Sequence, residues 1–233
     1  MRKIDPAGVR TDFHDEIVEL IDHFRRVASA LSGSPNELGD LSRLAETTFL
    51  SAFVSFERFL SDLFFAYINR DFLAYQGDLS ERIQTSVGNK FGAWAKARVA
   101  FNSKKHVNVP ELEGILDPDG FNLTFSNAQD IRAKATRWLA APHRARVHSL
   151  SNHDDRLIDT ARAIRNFVAH RSKSSKDIMN QKLASVQSAA HNQNLGRGEQ
   201  HVHNVGAFLK AVFGGQRRAE LYALRLQSIS AQM

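Results

Sequence analysis

Apolar side chains recur at Phe13, Ile17, Leu20, Ile21, Phe24, Val27, Ala28 and Leu31, the three- and four-residue spacing of one helix face. This predicts a helix over 11–32, capped by Thr11 or Asp12 and stopped by Ser32-Gly33-Ser34-Pro35. A longer stripe through Leu41, Ala45, Phe49, Phe53, Phe56, Leu60, Phe64 and Tyr67 predicts a second helix, from a cap at Asn36 to about Asp71. Gln76-Gly77-Asp78 interrupts the pattern, and 79–101 reads as one helix or two, with Gly88 and Gly92 as weak points. Residues 102–125 are the least helical, with a turn at Asp117-Pro118-Asp119-Gly120 and room for one short strand. Ser126 or Asn127 begins a helix to about Leu139, Ala141-Pro142 ends it, and His143 to Asn152 reads as a basic linker. A helix over 153–171 follows, with Asn152 as cap. After a polar break at Ser172 to Ser175 comes a helix over 176–191, then a loop over 192–203. The last helical stretch, 205–230, is interrupted by Gly214-Gly215. Strand signals are few. The expected fold is an all-α helical bundle, one domain over 1–233, with a less regular insertion around 102–125 and a C-terminal helical extension over about 192–233.

Composition narrows the setting. Hydrophobic residues are 42% of the 233, enough for a core, and charged residues are 24%, which excludes wholesale disorder. The absence of cysteine excludes disulfides, thiolate nucleophiles and cysteine metal sites, and suits a reducing compartment. No apolar stretch follows Met1 to Pro6, so no secretory leader is expected. The most apolar segment, Thr47 to Ile68, carries Glu57, Arg58 and Asp62 near its middle, which argues against a membrane span. A cytoplasmic protein is expected.

The net charge is +6 and the pI about 9.8, which suits either plain solubility or a polyanionic partner. The surplus is concentrated. Between residues 132 and 176 eleven Lys and Arg stand against Asp154, Asp155 and Asp159. A phosphate backbone would meet the chain there.

Within that segment the helix over 153–171 is two-sided. With Arg165 at zero, Arg162, Asn166, Asp159 and His170 fall at about 60°, 100°, 120° and 140°. Leu157, Ala161, Ile164 and Val168 fall opposite, Phe167 at their border, and Ile158 lies among the polar positions. A plain solvated face would carry Glu and Lys. This one carries guanidinium, amide and imidazole, which suit phosphate binding and proton transfer. Arg-Asn-x-x-x-His occurs once, at Arg165, Asn166 and His170, where chance supplies roughly 0.05 matches at this composition.

The hexapeptide Arg165-Asn166-Phe167-Val168-Ala169-His170 resembles the signature of the HEPN superfamily. Those are small all-helical proteins, many of them ribonucleases of toxin, abortive-infection and other defence systems. Arg165, Asn166 and His170 match the pattern position by position, and Thr47 to Ile68 with Glu57 resembles the usual packing partner. The resemblance implies a metal-independent endoribonuclease with no cofactor, in which the RNA 2′-hydroxyl is the nucleophile. His170 would be the general acid or base, Arg165 the phosphate binder and Asn166 the orienting residue. Arg162, Arg171 and Lys173 would add RNA contacts, and Glu57 is a possible acidic helper. Members usually dimerise, so that two motifs share one cleft. The implied partners are RNA, a second copy, and an antitoxin or other defence protein.

Plainer readings stand beside these. A non-catalytic HEPN-like module binding nucleotides, RNA or a protein fits the same outline. His170 suits a structural or solvent-facing role, and Glu57 a half-buried acid paired with a base. His201-Val202-His203 is a weak metal signal without nearby carboxylates, and Asp117 to Gly120 lacks the later ligands of a calcium loop. No P-loop, GxGxxG or Ser-His-Asp pattern occurs.

Overall fold

A computed structural model describes residues 3–102, 104, 106–187 and 194–233, and the fold is all-α. Its organising element is α2 (Glu37–Arg70), about 50 Å long. Phe49, Phe53, Phe56, Leu63, Phe64 and Ile68 are all buried, on more than one side. A helix apolar nearly all round must be surrounded. It is: α1 (Pro6–Ala30), α4 (Val109–Leu116), α7 (Asn152–His170), α9 (Val205–Lys210) and α10 (Arg218–Gln232) all pack against it. None of the described helices is long and apolar enough to cross a membrane.

Several boundaries differ from the expected ones, each for a local reason. Helix α1 begins at Pro6, because the Asp5 side chain accepts from the Ala7 amide and Pro6 is preset for a first turn. Helix α3 (Leu73–Lys96) runs through Gln76-Gly77-Asp78, whose polar groups find distant partners. The Gln76 amide bridges Asn102 O and Lys104 N at 2.6 and 2.9 Å, and Asp78 accepts from Trp138 Nε1 at 3.0 Å. The break expected at a glycine falls at Gly92, at φ 83°. Pro142 starts a helix, α6 (Ala141–His148), rather than only ending one, since its missing N–H costs nothing in a first turn. Helix α7 is capped by Ser151, not Asn152, and α8 (Lys173–Gln187) begins after a break of only Arg171-Ser172. The expected end of that helix at 191, and the first residues of the loop after it, lie outside the described residues.

The insertion, read as less regular, and the C-terminal helical extension are both built into the core. The insertion holds α4, capped by the Asn108 side chain, and no strand is formed among its described residues. Asn69 ties it down, donating to Val107 O at 3.0 Å while accepting from Ile4 N at 3.0 Å. After α9, Gly214 and Gly215, both at positive φ, close a two-stranded hairpin of β1 (Val212–Phe213) and β2 (Gln216–Arg217). Helix α10 then returns to α2. Tyr222 is fully buried, packs edge-on against Phe49 at 5.3 Å and donates to Leu195 O at 2.8 Å. The buried Arg218 guanidinium lies 3.9 Å over the Phe208 ring and donates to Asn194 O and Phe208 O, both at 2.7 Å. Desolvation pulls its pKa down to about 10.

Candidate functional site

Helix α7 is fixed at both ends. Ser151 and Asp154 form a reciprocal capping box, with Ser151 Oγ accepting from the Asp154 amide at 3.2 Å and Asp154 Oδ2 from the Ser151 amide at 3.0 Å. At the other end Arg171 adopts a left-handed conformation, φ 51°, its amide bonded to Phe167 O at 2.9 Å. A non-glycine residue there costs about 1 kcal/mol. The Arg171 guanidinium is held by an ion pair to Glu46 of α2 and lies 5.4 Å over the Phe167 ring. Arg171 therefore locks the end of the motif helix to α2, with its charge offset.

The apolar side of α7 is the expected one: Leu157, Ala161, Ile164 and Phe167 are buried, with Val168 packed at the edge. Ile158, Thr160 and Ala163 are buried as well. The α5 (Ala128–Trp138) and α8 helices close on the sides of α7, which a helical wheel does not foresee. Asp159 is drawn into this packing. It accepts from the Ala128 amide at 3.0 Å, at the start of α5, and from Lys182 Nζ at 2.9 Å on α8. Beyond the exposed Asn152 and Arg156 near its start, the solvent-facing part of α7 is a strip holding the half-buried Arg162, Arg165 and Asn166 and the exposed Ala169 and His170.

Three of the candidates converge. Glu57 of α2 reaches Arg162 Nη1 at 3.4 Å through one carboxylate oxygen and Arg165 Nη2 at 3.8 Å through the other. Arg162 also donates to Phe125 O, and Arg165 Nη1 donates to Asn166 Oδ1 at 3.2 Å. Arg165 Nε is shielded from solvent and has no hydrogen-bond partner among the described residues. Two guanidiniums thus share one carboxylate, and the cluster keeps a net positive charge. His170, a little over one turn further on, is exposed and makes no hydrogen bond or ion pair among the described residues. Lys173 is exposed at the first position of α8.

The chain matches no known protein family, no curated protein and no solved structure. The site's meaning therefore rests on its own geometry.

Arg162 and Arg165 line a cleft of about 390 Å³ between α2, α7 and the last turn of the insertion. Its floor is apolar, with Phe53, Leu60 and Ile158. Phe121 to Phe125, a segment read as turns with room for one short strand, also line it, and Phe125 O accepts from Arg162. The signal for its role was Phe121, an aromatic with no place in any helical stripe. His170 does not line this cleft.

A second cavity of about 860 Å³ lies between α1, α2 and α4. Asp12, Glu16, Asp62, Glu113, Asp117 and Asp119 face it, with Arg58 as its one lining cation among the described residues, already paired to Glu16. Though larger, it would repel a phosphodiester. The smaller cleft is the one whose charge suits nucleic acid. Among the described residues no group of three or more His, Asp or Glu is placed to hold a metal ion.

Proposed function

We propose that the protein is a metal-independent, HEPN-type endoribonuclease, acting on RNA as a homodimer. Arg165, with Arg162 beside it, binds the scissile phosphate; Asn166 holds the Arg165 guanidinium in place; His170 transfers the proton. The 2′-hydroxyl loses its proton to a base and attacks the adjacent phosphorus, the P–O5′ bond breaks, and the 5′-oxygen takes a proton from an acid. The products are a 2′,3′-cyclic phosphate and a 5′-hydroxyl. One chain supplies one motif His, so a second copy supplies the other half of the acid–base pair. A cytoplasmic defence or toxin–antitoxin setting, with an antitoxin as further partner, belongs to the same proposal.

The observation that carries this reading is the state of His170. It is an exposed imidazole with no partner among the described residues, at the end of a helix whose preceding turns present two guanidiniums to a positively charged cleft, one of them bonded to the Asn166 amide. A histidine buried for structure would be bonded. The test is to incubate purified protein with mixed cellular RNA in EDTA, beside His170→Ala. Cleavage with cyclic-phosphate ends by wild type alone supports the proposal, and equal cleavage by both removes His170 from the mechanism. A strict monomer at micromolar concentration by light scattering would remove the composite site.

One observation favours a second reading, a non-catalytic nucleotide- or RNA-binding module: the arginines line the apolar cleft and His170 does not. RNA retained but never cut, with His170→Ala binding as wild type does, is its signature.

A further inference from the structure

We propose that the cleft beside Arg162 and Arg165 is a nucleobase pocket, in which an unpaired base of RNA stacks on Phe121 and is read by Asn122 and Thr124. It rests on the reading of RNA as the ligand and adds what the motif helix does not supply, a contact to the base.

Phe121 is 79% exposed, yet the turn that carries it is not loose. Its own amide and that of Asn122 both donate to the Asp117 carboxylate at 2.8 Å. Two residues on, the Leu123 amide donates to Ser61 Oγ of α2 at 3.0 Å. Phe125 is buried 4.8 Å from the Phe64 ring. Asn122 makes the reversal at φ 65°, a conformation Asn tolerates better than most residues. The ring of Phe121 is thus held out in water by a turn anchored on both sides. Left to itself such a ring would fold against the apolar floor below it.

The cleft fits one base better than any larger ligand. Its 390 Å³ lies near the lower end of the range for small-molecule sites. The floor, with Ile158 at its base, offers apolar contact to a flat ring, and Phe121 offers a stacking face. Asn122 and Thr124 also line it, and their side chains have no hydrogen-bond partner among the described residues, so donors and acceptors remain for a base edge. The guanidiniums at the same cleft place the phosphate next to the base it belongs to. A base paired in a duplex cannot reach such a pocket, so the substrate is single-stranded at this nucleotide.

The test uses full-length His170→Ala, which leaves the RNA intact, with a single-stranded oligoribonucleotide carrying one 2-aminopurine, and a matched oligonucleotide abasic at that position. Binding is expected to quench the 2-aminopurine several-fold and to weaken about 10-fold for the abasic strand. Phe121→Ala abolishes the quench and loses the preference for a base, while Phe121→Trp restores both. Equal affinity for the two strands, a quench unchanged in Phe121→Ala, or no binding of either strand overturns the pocket. The cleavage assay of wild type separates the two ideas. Cleavage without a Phe121-dependent quench leaves the ribonuclease and removes the pocket; the quench without cleavage leaves the pocket and removes the ribonuclease.

Discussion

Arg165 Nη2 stands 3.8 Å from Glu57 Oε2, joining the motif helix to the middle of the central one. The same carboxylate holds Arg162, so its removal frees two guanidiniums at once. Glu57→Gln is expected to bind RNA more tightly at low salt, by about 1 kcal/mol or roughly five-fold, with a steeper salt dependence. Cleavage is expected to slow, because Arg165 is no longer aimed. Filter binding at several salt concentrations beside single-turnover cleavage separates the two. Weaker binding by the variant would show that Glu57 serves only to hold the arginines in place.

His170 is exposed and bonds to nothing among the described residues. His170→Ala should therefore leave stability within about 0.5 kcal/mol of wild type. The same change should lower cleavage by at least 10²-fold. Urea melts and cleavage rates on one preparation check both. A variant that loses stability together with activity would mark His170 as structural.

His143 supplies a pH dependence that does not involve the motif. Its ring stacks on Tyr67 at 4.2 Å, and burial, with Arg146 and Arg70 nearby, pushes its pKa below the usual histidine range. The folded protein then holds this imidazole neutral where the unfolded chain protonates it. Its contribution to stability is complete above about pH 6.5 and is lost as the pH falls from there toward the lowered value. Urea midpoints between pH 7.5 and 5 should fall for wild type and fall less for His143→Phe, which keeps a stacking ring. An equal fall in both would assign the effect to other groups.

The returning helix α10 belongs to the core, and its side chains should behave as core. Leu226 is fully buried. Leu226→Ala is expected to cost 2–5 kcal/mol, about what a buried leucine on any other helix would cost. Denaturation followed by circular dichroism reads it. A cost near zero would mean that the tail folds apart from the rest.

Much of this molecule is local and therefore legible in its residues. The stripe of Phe in α2, the cap at Asn127 and the stop at Gly33 act over a few positions, and periodicity alone places them. Pro142 misled because one residue serves both to end a helix and to begin the next. Gln76 and Asp78 misled because partners at 102, 104 and 138 satisfy them. A breaker is only a breaker when its polar groups have nowhere better to go.

The candidate site divides the same way. The helical repeat puts Arg162, Arg165, Asn166 and His170 on one strip, because 3.6 residues per turn is a property of the backbone. Nothing in that repeat brings Glu57, 105 residues from Arg162, between two guanidiniums, joins Asp159 to Lys182, or sets Phe121 at the same cleft as Arg165. Those placements follow from how the buried faces of α2, α5, α7 and the insertion close on one another. Packing of that kind depends on shape and burial summed over the whole core, which no short stretch of chain contains.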